Sequence, residues 1–134
     1  MKTWKIGILA EKSKRTRIVI LGGGFGGLYA ALHLDKAIAS DPNVEVTLVD
    51  RENFSLFTPM VHEVASGDLV MADIVNPIRK MLKRVQLLKA EVKAIDLSAR
   101  RVTVGRGLLS APLELTYDHL LFALGSETNF FGLP

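Results

Sequence analysis

The feature that most constrains this 134-residue chain is the stretch 17–34 near its amino terminus. It opens with a short apolar run rich in β-branched residues, which is typical of a buried strand in a parallel sheet. The run breaks into Gly22-x-Gly24-x-x-Gly27, and apolar residues then recur at helical intervals from Leu28 onward. Strand, glycine turn and helix in this order predict the opening of a βαβ unit.

Each of the three glycines meets a separate physical requirement of such a unit. Gly22 permits the tight turn, Gly24 lets the backbone approach a pyrophosphate, and Gly27 lets the helix pack closely on the strand. The pyrophosphate would lie at the helix amino terminus, where free N–H groups and the helix dipole favour an anion. A second predicted strand, 44–50, ends at Asp50, whose carboxylate could accept hydrogen bonds from the ribose of an adenosine. The pattern predicts a dinucleotide site, with a purely structural turn as the alternative.

Length and composition limit the classes of protein to which this chain can belong. At 134 residues and 49% hydrophobic, the chain can form one domain with a core. No run approaches the roughly 18 consecutive apolar residues of a membrane span, so no transmembrane helix is expected. The chain has no cysteine, which excludes disulfides and a redox dithiol within it.

The net charge of +3 is unevenly distributed along the chain. Residues 1–17 sum to +5, whereas the remaining residues sum to −2. We therefore predict a basic arm over 1–15, followed over 16–134 by the N-terminal part of a Rossmann-like domain. A solvated terminus is the plainest interpretation of the arm, and attraction to an anionic membrane surface or a targeting role are alternatives. The later arginines lack interleaved aromatic residues, so no nucleic-acid partner is expected.

The predicted fold class is α/β, a Rossmann-like parallel sheet with a βαβ unit, plus a small antiparallel β-meander. The predicted elements are a strand over about 17–22, a helix over about 26–39, a turn at 41–43, a strand over 44–50, a helix with Asn76 as N-cap and a buried stripe that reaches Val85, a third parallel strand over 85–90, a meander from 91–97, 101–104 and 113–116, and a buried strand over 117–125 that returns beside the first strand.

The segment 51–67 has no clear period and is predicted to be irregular, along the mouth of the cofactor crevice. Its His62 and Glu63 invite an acid/base role, but a lone His-Glu pair is more often structural. We therefore predict no catalytic side chain. Gly125, at the end of the last strand, is expected on the same rim as Gly22 and Asp50, because ligands bind at the carboxyl ends of strands.

With these elements placed, the chain resembles the two-dinucleotide flavoproteins and, within them, the type II (non-proton-pumping) NADH dehydrogenases. The resemblance covers about residues 16–134. Its most specific part is the proline-initiated segment 59–67. It rests on four matches in the right order, at 22–27, 46–51, 59–67 and 117–125.

The resemblance implies that the first nucleotide motif holds FAD. The implied cofactor contacts are Gly22, Gly23, Gly24, Phe25, Gly26 and Gly27 at the pyrophosphate, Asp50 at the adenosine ribose, Arg51 beside the adenine or phosphate, Thr58 and Pro59 near the flavin, backbone near Val92 at the adenine, and Ala123, Leu124 and Gly125 at a strand end near the cofactor. Leu124 stands where the family more often has threonine, which removes one hydroxyl contact. No metal ligand is implied.

The resemblance also implies an oxidoreductase that passes electrons from NADH through FAD to a quinone in the respiratory chain. NADH would be bound by a second domain absent from this chain. A C-terminal region, also absent, would hold the protein peripherally on the cytoplasmic face of the inner (plasma) membrane. The chain is therefore expected to be an incomplete, N-terminal fragment that is inactive alone. Its exposed sheet edge leaves a homo-oligomer open.

Several alternatives stay open at this point. A sulfide:quinone oxidoreductase, or another FAD-dependent pyridine-nucleotide oxidoreductase, could carry its cysteines beyond residue 134. A dehydrogenase that binds NAD at this motif is disfavoured by the long segment after Asp50, and a disulfide reductase by the missing CxxxxC there. From a different class, the chain could be a dinucleotide-binding module without turnover.

Overall fold

The computed structural model describes residues 15–38, 41–107, 111–126, 129 and 131–132. The predicted basic arm lies outside these described residues except for Arg15, as does residue 39 at the predicted end of the first helix. The elements in chain order are β1 (Thr16–Leu21), α1 (Phe25–Ala37), β2 (Val44–Asp50), β3 (Phe54–Leu56), a 3-10 helix (Thr58–Met60), α2 (Val61–Ser66), α3 (Met71–Ile74), β4 (Val75–Pro77), α4 (Ile78–Met81), β5 (Gln86–Lys89), β6 (Glu91–Asp96), β7 (Arg101–Gly105), β8 (Leu113–Thr116) and β9 (His119–Phe122).

Four strands form a parallel sheet in the order β5-β2-β1-β9. β1 pairs with β2 on one side and with β9 on the other, and its residues 19–21 are almost completely buried. A continuous apolar run is what a strand covered on both faces requires. The predicted parallel sheet, its βαβ unit and the return of the last strand to β1 are confirmed.

The sheet separates two hydrophobic cores. Because successive side chains of a strand point to opposite faces, Ile20 joins the core under α1 and α4, whereas Leu21 joins the core under the meander. The first core contains Ile20, Leu28, Ala31, Ile38, Val46, Leu48, Ile78, Leu82, Val85 and Leu87. The second core contains Val19, Leu21, Val49, Ala90, Val102, Val104 and Tyr117.

The antiparallel meander is confirmed as the order β6-β7-β8. Val102 and Val104 of β7 are fully buried against the sheet, so the meander covers the face opposite α1. The turn between β6 and β7 contains Arg100 in a left-handed conformation (φ 51°). The meander begins one residue after β5, which brings the start of β6 to the carboxyl edge of the parallel sheet.

The predicted helix from Asn76 toward Val85 is wrong. Asn76 pairs with Ser55 in an antiparallel ribbon of β3 and β4, and α4 is a single turn that follows Pro77. The chain becomes extended at Leu82 (φ −103°, ψ 138°). The N–H groups of residues 83–85, which a longer helix would need, instead donate to the buried carboxylate of Asp35 on α1. The three donors and their distances to that carboxylate are Lys83 at 3.0 Å, Arg84 at 2.6 Å and Val85 at 2.7 Å.

Two further segments differ from prediction. The segment 51–67 is not irregular, because it contains β3, the 3-10 helix and α2, which ends at Ser66 and is followed by Gly67 with φ +88°. The last strand is shorter and less buried than predicted, with Leu121 39% and Phe122 54% exposed. It lies at the edge of the sheet, and the described residues place no strand on its outer side.

Candidate functional site

The glycine turn between β1 and α1 shows two different reasons for glycine. Gly22 has a φ of +98°, and a Cβ there would collide with the carbonyl oxygen of Ala123. A Cβ at Gly27 would collide with the carbonyl oxygen of Gly22, so the turn and the close packing of α1 both require glycine. At Gly24, by contrast, a Cβ would meet no described atom within 4 Å. The protein itself leaves the space beside Gly24 open.

The amino terminus of α1 faces this open space without a side-chain cap. Gly24 is the N-cap residue, and its carbonyl accepts the first helical hydrogen bond from Leu28 at 2.9 Å. Among the described residues, no side chain caps the helix and its first turn contains no acid. The N–H groups of Phe25, Gly26 and Gly27 lie in the turn where a helix has no internal acceptors, so they are suited to bind an anion.

Asp50, the last residue of β2, lies directly beside the turn. Its Oδ2 accepts a hydrogen bond from the N–H of Gly23, and its Oδ1 accepts one from the N–H of Glu52 at 2.7 Å. The turn is also bonded to β2 through Gly22, whose N–H donates to the Val49 carbonyl at 2.8 Å. A carboxylate has about four acceptor positions, so Asp50 retains capacity for the hydroxyls of a sugar.

An open cleft of about 480 Å³ lies along the carboxyl edge of the sheet. Five of the predicted site residues line it together, namely Gly22, Asp50, Arg51, Val92 and Leu124. The other lining residues are Val49, Glu52, Ala90 and Glu91. A nucleotide is expected at this edge of an open α/β sheet, and the volume and donor set fit an adenosine with its phosphates.

Part of this lining was not predicted from the sequence. Ala90 and Glu91 directly follow β5, and Glu52 follows β2 by two residues. The same argument that selected Asp50, position at the carboxyl end of a parallel strand, would have found them.

Some of the charged side chains around the cleft form ion pairs with each other. Lys89 lies 3.7 Å from Glu52, and Lys93 donates to Glu91 at 2.6 Å. The hydrogen bond and the charge of Lys93, together with the charge of Arg51, hold the pKa of Glu91 below its ordinary value. A second cleft of about 460 Å³ adjoins the first and shares Arg51, Ala90 and Glu91 with it.

The residue that follows β9, Ala123, packs against the glycine turn. The N–H of Ala123 donates to the Leu21 carbonyl at 2.8 Å, and the Ala123 methyl lies 3.8 Å from where a Cβ on Gly26 would be. Gly125 has a φ of +74° and follows the cleft residue Leu124, but it is not itself part of the cleft lining.

Thr58 and Pro59 lie in the exposed 3-10 helix and do not line the cleft. The neighbouring Phe57 connects their segment to the glycine turn, because its ring meets the ring of Phe25 edge to face at 5.6 Å. His62 and Glu63, the predicted acid/base candidates, are solvent-accessible and lie 3.3 Å from each other, and neither lines the cleft.

Neither a metal site nor a membrane-spanning helix is found in the part of the chain that the structure describes. No group of three or more His, Asp or Glu side chains there could hold a metal ion. No helix within those ranges combines the length and the apolar character that a membrane crossing needs.

Comparisons with known proteins agree with this geometry. Residues 16–134 match the profile of the family described as pyridine nucleotide-disulphide oxidoreductase. Among curated proteins, type II NADH:quinone oxidoreductase NdhA of Mycobacterium tuberculosis is 40% identical over 121 residues, which are 88% of this chain and 24% of that protein. The type II NADH:quinone oxidoreductase of Staphylococcus haemolyticus is 31% identical over 89% of this chain and 28% of its own length. The chain thus spans about a quarter of the length of these relatives.

Comparison with solved structures also finds similarity to quinone oxidoreductases and to NDH2. NDH2 from Plasmodium falciparum in complex with NADH superposes with a TM-score of 0.78 at 27% identity, over 89% of this chain and 24% of that one. The sulfide:quinone oxidoreductase from Aquifex aeolicus superposes with a TM-score of 0.71 at 27% identity, over 86% of this chain and 25% of that one. The predicted resemblance to type II NADH dehydrogenases is confirmed. The chain belongs to the pyridine nucleotide-disulphide oxidoreductase family.

Proposed function

We propose that residues 16–134 are the N-terminal part of an FAD/NAD(P)-binding domain and that they bind the ADP half of FAD. One observation carries this proposal: the open space beside Gly24, the uncapped amino end of α1 and the carboxylate of Asp50 all meet at one edge of the sheet. An anion and a ribose need these two kinds of partner next to each other.

Each part of the site has its own role in this proposal. The first-turn N–H groups of α1 bind the pyrophosphate, and Gly24 gives it access to the backbone. Asp50 accepts hydrogen bonds from the adenosine ribose. Arg51 lies beside the adenine or phosphate and Val92 beside the adenine, roles supported by their place in the lining of the same cleft, directly after β2 and in β6.

The remaining predicted residues serve the phosphate and flavin portions. Ala123 supports the glycine turn from below, and Leu124 and Gly125 continue along the rim toward the flavin. Thr58 and Pro59 are proposed to lie near the flavin ring, supported by the contact of Phe57 with Phe25 at the start of α1.

For the protein of which this chain would be a portion, we propose electron transfer from NADH to a quinone in the respiratory chain. The names of the relatives support this activity. FAD, when bound, would accept a hydride from NADH and deliver two electrons to the quinone. The described side chains bind and orient the cofactor in this scheme, and none is assigned as a catalytic acid or base.

The relatives are about four times as long as this chain, which leaves room for the other functions of such a protein. We assign NADH binding and peripheral attachment to the cytoplasmic face of the inner (plasma) membrane to sequence beyond these residues. A homo-oligomer would be one way to cover the exposed edge at β9.

A sulfide:quinone oxidoreductase is the second candidate, favoured by the similarity to the Aquifex aeolicus structure. The two candidates differ in their electron donor. Sulfide-dependent reduction of quinone, together with a cysteine pair in the longer protein, would support the second candidate. NADH-dependent reduction without sulfide would support the first.

The deciding experiment identifies the cofactor. The full-length gene product is purified and denatured, and the released cofactor is identified by absorbance and chromatography. We expect FAD. Absence of flavin, together with binding of NADH at the glycine turn, would contradict the proposal. Steady NADH oxidation by the 134-residue chain alone would contradict its assignment as a binding portion without turnover.

A further inference from the structure

We propose that Asp50 is a positioning residue for the phosphate-binding turn, in addition to its role at the ribose. This inference rests on the proposed nucleotide site and deepens it. A ribose ligand would need only oxygens directed toward the cleft. In the structure, both carboxylate oxygens of Asp50 already accept backbone N–H groups, one from Gly23 in the turn and one from Glu52 after β2.

The bond from the Gly23 N–H to Asp50 holds the turn beside the bond that the Gly22 N–H donates to Val49. Hydrogen bonds from a backbone N–H to a carboxylate are charge-assisted and stronger than neutral ones. Gly23 is the middle residue between Gly22, with its left-handed backbone, and Gly24, which faces open space. The carboxylate therefore holds the Gly23 peptide between these two residues, next to the N–H groups at the start of α1.

Steric contacts confine the turn on the same side. A Cβ on Gly23 would lie 3.1 Å from Asp50 Oδ2 and 3.1 Å from the side chain of Ile78, which is fully buried. On the other side, Ala123 lies under Gly22. The turn is thus held between Asp50 with Ile78 and the end of β9. Loss of the carboxylate would free the Gly23 peptide to rotate, and the phosphate-binding N–H groups would lose their common direction.

The two roles of Asp50 are compatible. Each carboxylate oxygen has two acceptor positions, and the backbone uses one on each oxygen. The second position of each oxygen remains for a ribose hydroxyl. The same side chain can therefore orient the turn before the nucleotide arrives and bind the sugar afterwards.

A nucleotide without ribose hydroxyls separates the two roles. We would measure the affinity of the chain for ADP and for 2′,3′-dideoxyadenosine 5′-diphosphate by calorimetry, in the natural sequence and in Asp50→Asn. The asparagine has the same shape, but it is neutral and has one acceptor oxygen for two N–H donors. We expect the dideoxy compound to bind Asp50→Asn about tenfold more weakly than the natural sequence.

Asp96→Asn is the matched control, because Asp96 also accepts a backbone N–H, from Ala99 at 2.8 Å, but it lies at the end of β6 and does not line the cleft. We expect it to change dideoxynucleotide affinity by less than about twofold. Equal binding of the dideoxy compound to the natural sequence and to Asp50→Asn, with weaker binding of ADP, would overturn the positioning role and leave the ribose role intact.

A second measurement needs no substitution. In the unliganded natural chain, the amide protons of Gly23 and Glu52 should exchange with solvent more slowly than those of an unstructured peptide. Exchange at the unstructured rate would overturn the positioning role even if Asp50→Asn failed to fold. Failure of ADP to bind the natural chain would instead overturn the proposed nucleotide site, so the two failures are distinguishable.

Discussion

At Gly22 the backbone has a φ of +98°, at Gly27 an added Cβ would strike a carbonyl oxygen, and at Gly24 it would meet no described atom within 4 Å. The first two residues are glycine because the protein chain needs the space itself. The third has no such reason within the described chain. In the proposed site, a ligand that approaches the backbone from outside would account for its lack of a side chain.

This difference predicts opposite outcomes for substitutions at Gly24 and at Gly27. Gly24→Val should leave the unfolding temperature of the cofactor-free protein nearly unchanged, because Gly24 has a negative φ (−69°) and open surroundings. The same substitution should abolish retention of FAD, because the branched Cβ would occupy the place of the pyrophosphate. Thermal unfolding of the cofactor-free protein and the flavin content of the purified protein measure the two effects.

Gly27→Ala is the control for this prediction. Its methyl group would collide with the Gly22 carbonyl, so the cofactor-free protein itself should be destabilised. Unchanged flavin content in Gly24→Val would refute the assignment of the phosphate-binding turn.

Among the elements, α1 is attached to the sheet by hydrogen bonds as well as by its apolar face. Asp35, near its carboxyl end, is buried and accepts the N–H groups that lead into β5. Burial alone would raise the pKa of this carboxyl. The bonds from Val85, Arg84 and Lys83, with the charge of Lys83, outweigh burial and lower the pKa of Asp35 below its ordinary value. These hydrogen bonds thereby join α1 to the segment that leads into β5.

Asp35→Ala should therefore lower the free energy of unfolding by about 2–4 kcal/mol, because it leaves buried N–H groups without their acceptor. Denaturant unfolding at neutral pH measures the loss. Asp41→Ala is the matched control, since Asp41 also accepts a backbone N–H, from Asn43 at 2.8 Å, but at an exposed turn. A loss at Asp35 no greater than the loss at Asp41 would contradict the anchoring role.

The same carboxylate predicts the pH dependence of stability. Its pKa is lower in the folded chain than in the unfolded chain, so its contribution is fully present above the unfolded value. That contribution is lost as the pH falls through the folded value. The difference in unfolding free energy between the natural sequence and Asp35→Asn should therefore shrink on acidification below the ordinary aspartate pKa. A constant difference across that range would contradict the assignment.

At the scale of the whole molecule, the described sheet, both cores and the cleft all lie within residues 15–132. The other basic residues of the predicted arm precede Arg15 in the sequence. Removal of residues 1–14 should therefore leave FAD affinity unchanged, as measured by flavin fluorescence titration. Removal of residues 1–18, which also deletes part of β1, should abolish binding and serves as the control. Loss of affinity in the shorter deletion would show that the arm belongs to the domain.

The parts that sequence analysis predicted correctly share a physical basis. The apolar residues at 18–21 and at 46, 48 and 49 favour burial in a sheet, and glycines at 22 and 27 are required by the backbone geometry of the turn. Such constraints act within a few residues, so the order strand, turn, helix and strand could be inferred without knowledge of the tertiary contacts. The carboxyl-end rule predicted Gly22, Asp50 and Gly125 on one rim, and the structure brings Gly22 and Asp50 together in the cleft. Val92 and Leu124, which also line the cleft, were implied by the family resemblance.

What only the tertiary structure decided depends on partners distant in sequence. Asn76 satisfies a helix N-cap pattern, yet it forms a strand because residues 54–56 pair with it. Residues 83–85 do not continue the helix because their N–H groups meet Asp35, 48 to 50 positions earlier. The bond from Asp50 to Gly23 spans 27 positions. The sequence by itself determined the βαβ framework and the edge of the sheet at which the nucleotide is proposed to bind. Tertiary contacts determined where helices stop and how the turn is held, because local propensities are weak compared with long-range hydrogen bonds and packing.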